Sequence, residues 1–274
     1  MPADFISIRI MSKTKVLHIS RGFNDYVIEL LNSLPPRVEV CHVLSQSDAW
    51  MTSALIPEVQ VFDSKAPRVS SLGNLFAMIR LIRFVQKYRP DIIHMQNGVI
   101  WELILMWFFP KIPVVITVHD ITRHPSHHGF LFTPQGILDF AVKRANGIIV
   151  HSQKLKDYAI QYYGSRLQNF PLFVIPHGVL QRYGCGRAAI NPNNRVLFFG
   201  TVDKWKGLEY ILKAAPAIKS QIPDIEIKVA GHCRQPECYQ DIAKDLEYVS
   251  LNFGYQDNAT VTALFEWADV LVLP

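Results

Sequence analysis

Residues 195–208 read RVLFFGTVDKWKGL and carry the pattern that decides the fold. The first five residues are typical of a short buried strand, Gly200 begins a turn, and a helical pattern follows Lys206 and Gly207. A strand that leads through a glycine turn into a helix is the first half of a βαβ unit. Backbone N–H groups and an ammonium group at this turn would suit a diphosphate. An ordinary βα turn with an exposed lysine is the alternative.

The same alternation of short apolar runs and longer helical patterns extends along the chain and predicts the α/β class with parallel sheets. Strands are predicted at residues 16–19, 38–44, 91–95, 114–118, 147–150 and 173–175, and then at 195–199, 226–230, 249–253 and 269–273. The polar stretch 181–194 predicts a linker between an N-terminal domain, 1–180, and a C-terminal domain, 195–274. Four strands are fewer than a doubly wound domain usually has, so the second domain is expected to be incomplete.

Composition limits the partners. Hydrophobic residues make up 49% of the chain and charged residues 19%, which predicts folded domains. A net charge of +5 favours an anionic partner, such as nucleotide phosphates or an anionic membrane surface. Nucleic acid is not expected, because no zinc-finger spacing, aromatic RNA-binding signature or long basic run occurs. Scattered cysteines and the lack of a secretory pattern in residues 1–13 predict a cytoplasmic protein.

Two apolar segments have alternative interpretations. Residues 99–118 contain two charges and two prolines, so a helix followed by a buried strand is favoured over a membrane span. Residues 72–89 predict an amphipathic helix. Its apolar residues are Leu72, Leu75, Phe76, Ile79 and Ile82, and its basic residues are Arg80, Arg83 and Lys87. The basic face is either solvated or docks on anionic membrane lipid.

His119 directly follows the predicted strand 114–118, and residues at that position face the ligand crevice in open α/β sheets. A structural histidine is the alternative, and Asp120 would orient the loop. His124, His127 and His128 match no standard zinc spacing, so no metal site is predicted. Gly22 lies in the first βα turn, where it is either a ligand-binding residue or part of a plain tight turn.

Four motifs resemble those of glycosyltransferase family 4, in the order found there. They are Thr117-Val118-His119-Asp120, Pro176-His177-Gly178-Val179, Phe199-Gly200 followed by Trp205-Lys206-Gly207-Leu208, and the Ala-Asp-Val-X-Val-X-Pro run at 268–274. The resemblance covers residues 15–274. It implies a GT-B architecture, in which two facing Rossmann-like domains bind the nucleotide-sugar donor on the second domain and the acceptor on the first.

The resemblance also assigns roles. His119 would be catalytic and lie close to the transferred sugar, while Lys206 would neutralise the donor diphosphate. The remaining expected donor-binding residues are Gly200, Lys204, Gly207 and His177, and the acceptor-side residues are Gly22 and Asp120. Thr201 and Asp203 stand where the family usually has an arginine, so Lys204 would take its part. The family's two glutamates, eight residues apart, would follow residue 274, which predicts a fragment or a second contributing chain.

The implied function is retaining transfer of a hexose from a nucleotide-diphosphate sugar to a hydroxyl of a glycan or lipid-linked acceptor, in polysaccharide or glycolipid biosynthesis. The resemblance implies no cofactor and no metal, with the nucleotide sugar as a substrate. Two alternatives remain open. One is a nucleotide-binding or partner-binding fragment without catalysis, and the other is a sugar-nucleotide epimerase of GT-B fold. An epimerase would process the donor with no acceptor present.

Overall fold

The computed structural model describes residues 13–67, 71–97, 103–122, 135–181 and 193–273. The chain forms two compact units, Met1–Leu180 and Gln181–Pro274. Most of the predicted linker lies outside the described residues, and so do His124, His127, His128 and the N-terminal residues 1–12.

The first unit is built on a seven-stranded parallel sheet. The strands are β1 (Thr14–Ile19), β2 (Val38–Ser45), β3 (Gln60–Ala66), β4 (Ile92–Gln96), β5 (Val114–Thr117), β6 (Gly147–Val150) and β7 (Leu172–Val174). Their order across the sheet is β3-β2-β1-β4-β5-β6-β7. All six predicted strands are present, and the α/β class is confirmed. The order reverses between β1 and β4, which is where ligands bind in open sheets of this kind.

Helices cover both faces of this sheet, as parallel sheets require. They are α1 (Asn24–Asn32), α2 (Asn74–Tyr88), α3 (Leu105–Phe108), α4 (Gln135–Arg144) and α5 (Gln153–Tyr163), with 3-10 helices at Gln46–Ala54 and Gly164–Leu167. Successive residues of a strand point to opposite faces. Val43 therefore packs in a cluster with Leu17 and Ile93, whereas Val40 and Leu44 pack in another cluster with residues of α1.

The helix predicted at residues 72–89 is present as α2, but of the five apolar residues named for it only Ile82 packs against the core. The residues of the helix that the first unit buries are Asn74, Ala77, Met78, Leu81 and Val85. Leu72 and Leu75 are 85% and 56% exposed, and Phe76 and Ile79 are 72% and 41% exposed. The segment has two apolar stripes, and the one with small Ala77 and flexible Met78 lies against the sheet, where close packing favours compact side chains.

The prediction of a helix followed by a strand in residues 99–118 is confirmed in the described part of that segment, by α3 and β5. Across the described ranges no helix is both long and apolar enough to cross a bilayer. Strand β3 was not predicted, because Asp63 and Lys65 break its apolar pattern. Both residues are tolerated there because β3 is an edge strand.

The four strands of the second unit are arranged like the first four strands of the first unit. Its strands are β8 (Arg195–Phe199), β9 (Glu226–Gly231), β10 (Val249–Phe253) and β11 (Val270–Leu271), parallel and in the order β10-β9-β8-β11. Its helices are α6 (Leu208–Gln221), α7 (Pro236–Ala243) and α8 (Asn258–Trp267). Phe198 packs with Leu208 and Leu212 of α6 on one face, while Leu197 packs with Leu264 of α8 on the other. The four predicted strands are all found.

Candidate functional site

Five rings gather beyond the carboxyl ends of the strands in the first unit. We call them the ring cluster: Phe23, Tyr26, His119, His151 and His177. Tyr26 lies at the centre, with its ring centroid 4.6 Å from His177, 5.2 Å from His119 and 5.3 Å from His151. Chain segments far apart in sequence supply them, because the ends of parallel strands meet at one edge of the sheet. Such an edge is the usual place for a ligand.

His119 is held on several sides. Its backbone N–H donates to Asn97 Oδ1 at 3.0 Å. Its ring stacks on Phe23, with centroids 3.7 Å apart and planes 8° from parallel. Its Nε2 lies 2.9 Å from Gln96 Oε1, and its Nδ1 lies 3.2 Å from His151 Nε2. Both ring nitrogens are therefore engaged within the protein, so a ligand that binds His119 through nitrogen must displace one of these partners.

The surroundings of His119 keep its ring neutral. Burial is the largest cause, and the nearby rings of His151 and His177 add to it, so that the pKa of His119 falls to about 3. A neutral imidazole has one nitrogen that donates and one that accepts. At pH 7 this ring can therefore exchange hydrogen bonds with a hydroxyl group but supplies no positive charge.

Three further histidines form a row beneath the ring cluster. In the strand register, His18 of β1 pairs with His42 of β2 on one side and His94 of β4 on the other. His18 and His42 are each 1% exposed. Burial lowers the pKa of His18 well below its ordinary value, and lowers the pKa of His42 and of His94 to about 4. The row is neutral near pH 7.

The first βα turn has a strained backbone. Gly22 has φ +115° and Phe23 has φ +58°. A Cβ at Gly22 would meet nothing within 4 Å, so only the backbone conformation requires glycine there. A left-handed phenylalanine costs roughly 1 kcal/mol or more, and its stack on His119 offsets that cost.

The second unit presents a polar turn at the carboxyl end of β8, residues 200–207, which we call the donor turn after the role predicted for it from the sequence. Gly200 has φ +129°, residues Lys204–Lys206 form one 3-10 turn, and Gly207, with φ +69°, precedes α6. Lys206 Nζ lies 4.3 Å from the centroid of the Trp205 ring. Asp203 at the start of the 3-10 turn and Glu209 in the first turn of α6 are acidic, so the local charge is mixed.

Three neighbouring strands of this sheet end in glycines of similar conformation. Gly200, Gly231 and Gly254 follow β8, close β9 and follow β10, with φ of +129°, +136° and +133°. Gly200 and Gly231 touch, because a Cβ at Gly231 would lie 1.9 Å from the Gly200 carbonyl oxygen. The edge of the sheet at the donor turn is thus lined by backbone, which leaves space for a ligand to approach.

The structure places the predicted residues in two groups. His119, His177, Gly22 and Asp120 belong to the first unit, and Gly200, Lys204, Lys206 and Gly207 form the donor turn of the second. His177, expected among the donor-binding residues, lies in the ring cluster, and Asp120 is exposed beside His119. Phe23, Tyr26, Gln96 and His151 were not predicted. His151 directly follows strand 147–150, which is the same signal that identified His119.

Comparison with known proteins gives a consistent assignment. The profile of "Glycosyltransferase Family 4" matches residues 20–180, and that of "Glycosyl transferases group 1" matches residues 187–274. A glycogen synthase of Mycobacterium tuberculosis (strain CDC 1551 / Oshkosh) is 23% identical over 199 residues, which are 69% of this chain and 47% of that protein. The chain thus spans about half the length of the curated relatives it matches.

Solved structures share the fold at low identity. A glycosyltransferase from Rickettsia africae ESF-5 has a TM-score of 0.67 at 13% identity, over 94% of this chain and 72% of that chain. UDP-GlcNAc 2-epimerase from Neisseria meningitidis has a TM-score of 0.60 at 13% identity, over 94% and 76%. These likenesses confirm the GT-B fold class. Since the family profile also matches more than half of its residues, the chain belongs to glycosyltransferase family 4.

Proposed function

We propose that this protein is a glycosyltransferase that uses a nucleotide-diphosphate sugar. The donor turn carries the proposal. It joins a strand to a 14-residue helix, and residues 187–274 match the group 1 transferase profile. The Neisseria meningitidis epimerase that shares the fold was solved bound to UDP-GlcNAc, which supports a nucleotide sugar as the ligand class.

The donor turn suits the charge that develops during transfer. The bond between the anomeric carbon and the diphosphate oxygen breaks, and the diphosphate keeps the electron pair. The acceptor hydroxyl oxygen forms the new bond on the same face, and its proton passes to the departing diphosphate. Lys206, Lys204 and the amino end of α6 would stabilise the negative charge on that leaving group. Gly200 and Gly207 would let the backbone approach it.

On the first unit, the proposed catalytic contact is made by His119. A sugar hydroxyl would take the place of Gln96 or His151 as its hydrogen-bond partner, and neutral His119 is suited to this exchange. His177 would contribute from the same ring cluster. Gly22 and Asp120 would lie on the acceptor side. We further propose that the transferred sugar is a hexose, that its configuration is retained, and that the acceptor is a glycan or lipid-linked hydroxyl in the cytoplasm.

An epimerase is the second candidate, because UDP-GlcNAc 2-epimerases share the fold. The two activities differ when no acceptor is present. An epimerase converts the donor sugar and keeps the nucleotide attached, whereas a transferase releases the nucleotide only as fast as water or an acceptor takes the sugar. We would assay a panel of nucleotide sugars, using the longest reading frame that contains this chain. Nucleotide binding without conversion or release would leave only a binding function.

Lys206→Ala is expected to weaken nucleotide-diphosphate binding by about 10-fold or more, because a charge-assisted hydrogen bond contributes about 1.5–3 kcal/mol. Monophosphate binding should change less, since the missing ammonium would act on the second phosphate. Titration calorimetry with both nucleotides measures the difference. Lys213→Ala is the matched control, because this exposed lysine of α6 removes the same charge from the same unit. Equal losses for the two nucleotides would argue against a diphosphate contact.

We also propose that α2 and the residue just before it make peripheral contact with an anionic membrane. Leu72, Leu75, Phe76 and Ile79 form an exposed apolar patch, and exposed Arg80 and Arg83 flank it. Apolar residues beside basic ones are the pattern of helices that lie in the headgroup region of anionic bilayers.

Phe76→Ser is expected to reduce binding to phosphatidylglycerol-containing vesicles by about 10-fold, because burial of a phenylalanine contributes about 1.5–3 kcal/mol. Flotation of the protein with vesicles measures the bound fraction. Tyr255→Ser, at an aromatic that is 88% exposed in the second unit, is the control. Equal binding to pure phosphatidylcholine vesicles, or no effect of Phe76→Ser, would contradict an anionic docking surface.

A further inference from the structure

A continuous chain of hydrogen bonds runs from the buried histidine row to the ring cluster. It links His42 Nδ1 to His18 Nδ1 (3.0 Å), His18 Nε2 to the Gln96 amide (3.0 Å), the Gln96 amide to His119 Nε2 (2.9 Å), His119 Nδ1 to His151 Nε2 (3.2 Å), and His151 Nδ1 to the carbonyl oxygen of Ile175 (3.0 Å). Each ring nitrogen in the chain has one partner along it. The position of one proton therefore constrains all the others.

Backbone carbonyl oxygens fix both ends of this chain. The Ile175 oxygen can only accept, so His151 must carry a proton on Nδ1. At the other end, His42 Nδ1 lies 3.3 Å from the carbonyl oxygen of His18, so it also carries a proton. The remaining protons follow from these two ends.

If all four rings are neutral, every bond must point the same way. His151 Nε2 then accepts from His119 Nδ1, which leaves His119 Nε2 as an acceptor. His18 Nδ1 accepts from His42, which makes His18 Nε2 a donor. Gln96 can satisfy both neighbours only if its amide nitrogen faces His119 and its oxygen faces His18. One arrangement therefore satisfies the whole neutral chain.

The amide orientation in the structure is the opposite one, with Gln96 Oε1 facing His119 and Nε2 facing His18. His119 Nε2 must then carry a proton. The bond between His119 and His151 needs another proton, because His151 Nδ1 is already committed to Ile175. The pair therefore holds one proton more than in the neutral chain. On the other side of Gln96, His18 Nε2 must then accept from the amide while His18 Nδ1 still faces the proton on His42 Nδ1, so His18 has to give up its own proton. A half-turn of the amide from the neutral arrangement therefore accompanies the transfer of one proton from His18 to the His119–His151 pair.

We propose that Gln96 is a positioning residue that, together with His151, determines which nitrogen of His119 carries the proton and thus which hydrogen bond His119 offers to the sugar. With the amide nitrogen facing it, His119 Nε2 is an acceptor, and after the half-turn it is a donor. The mechanistic consequence rests on the proposed function of His119, whereas the tautomer assignment rests on the hydrogen bonds alone. Gln96 is 5% exposed, so solvent does not compete for its amide.

The other groups around the chain do not compete with Gln96. Tyr26 approaches His119 and His177 approaches His151 through ring contacts, and His94 is bonded to the Thr117 hydroxyl at 2.8 Å. Asp48 is the carboxylate whose charge reaches His42, where it raises the pKa against the larger effect of burial. The amide of Gln96 thus links the His18–His42 pair to the His119–His151 pair by hydrogen bonds.

Nitrogen-15 NMR of the histidine-labelled full chain tests this assignment, because the two tautomers have different ring nitrogen shifts. At pH 7 we expect His119 to carry its proton on Nδ1. In Gln96→Glu both carboxylate oxygens can only accept, so the proton should move to Nε2 and the pKa of His119 should rise by about one to three pH units. Gln168→Glu, at an exposed position before β7, is the charge control and should change neither.

A second pair of variants avoids a buried charge. His151→Gln keeps an acceptor for His119 Nδ1, so the wild-type tautomer should persist, whereas His151→Phe removes the acceptor and should give a mixture of tautomers. His119 with its proton on Nε2 in the wild type, or no change in Gln96→Glu and His151→Phe, would overturn the proposal. If the tautomers behave as expected and no nucleotide sugar is turned over, the proposed function fails and the assignment of Gln96 stands.

Discussion

Gly231→Ala is expected to unfold the second unit, although it adds a single methyl group. A Cβ at this position would lie 1.9 Å from the carbonyl oxygen of Gly200, 2.7 Å from its carbonyl carbon and 3.2 Å from its nitrogen. These are backbone atoms that follow β8, and they cannot move aside as a flexible side chain would. The Gly200 N–H also donates to the carbonyl oxygen of Ala230 at 3.0 Å. Moving the two strand ends apart would therefore break this hydrogen bond between β8 and β9.

Two effects add in this variant, and Gly254→Ala separates them. Both glycines have nearly the same φ, +136° and +133°, so both substitutions cost about 1–3 kcal/mol in backbone strain. Nothing lies within 4 Å of a Cβ at Gly254, so only Gly231→Ala adds the overlap, which overpacking data put at about 1–3 kcal/mol or more. The sum, about 2–6 kcal/mol or more, reaches the lower end of the stability of a small domain, about 5–15 kcal/mol.

Urea unfolding, followed by hydrogen exchange of amides in β8 and β9, measures how much stability the second unit loses in each variant. These amides report on the second unit alone, so the stability of the first unit does not enter the measurement. We expect Gly254→Ala to remain folded and Gly231→Ala to lose protection throughout the second unit. Similar losses of stability in the two variants would show that the Gly200 carbonyl can relax.

The sequence predicted most strands because buried parallel strands are apolar on both faces, and this signal is local. Edge strand β3 was not predicted, because Asp63 and Lys65 interrupt its apolar pattern. The face of α2 was misjudged for a different reason. Periodicity shows that a helix has an apolar stripe, but with two stripes only the shape of the sheet surface decides between Ala77 and Phe76.

The sequence could predict a site residue only where its place next to a predicted strand locates it. His119 follows a strand, and its location could be inferred. The histidine row depends on the register that aligns His18, His42 and His94, and register is set by long-range packing. Gln96 belongs to the site because its amide lies between two rings from different strands. No pattern within its own segment indicates that.

Mild acid is expected to destabilise the first unit strongly. Histidines His18, His42 and His94 are neutral and buried in the folded state, with the pKa of His42 and His94 lowered to about 4 and the pKa of His18 also lowered. In the unfolded chain their pKa returns to about 6.5. Between these values the unfolded state binds more protons, so stability is fully present above about pH 6.5 and falls as the pH drops toward 4.

The expected loss is large. At pH 5 each of these three rings, and likewise His119 with its pKa lowered to about 3, lowers the free energy of unfolding by about 2 kcal/mol, and with mutual coupling the total is about 5–8 kcal/mol. Urea unfolding at pH 7 and pH 5 measures it. His94→Gln keeps a partner for the Thr117 hydroxyl but removes one of the four titrating rings, so it should reduce the pH dependence by about a quarter. His232→Gln, at the exposed histidine of the second unit, should leave it unchanged. A wild-type loss below about 1 kcal/mol would mean that water reaches the histidine row and that these rings titrate normally.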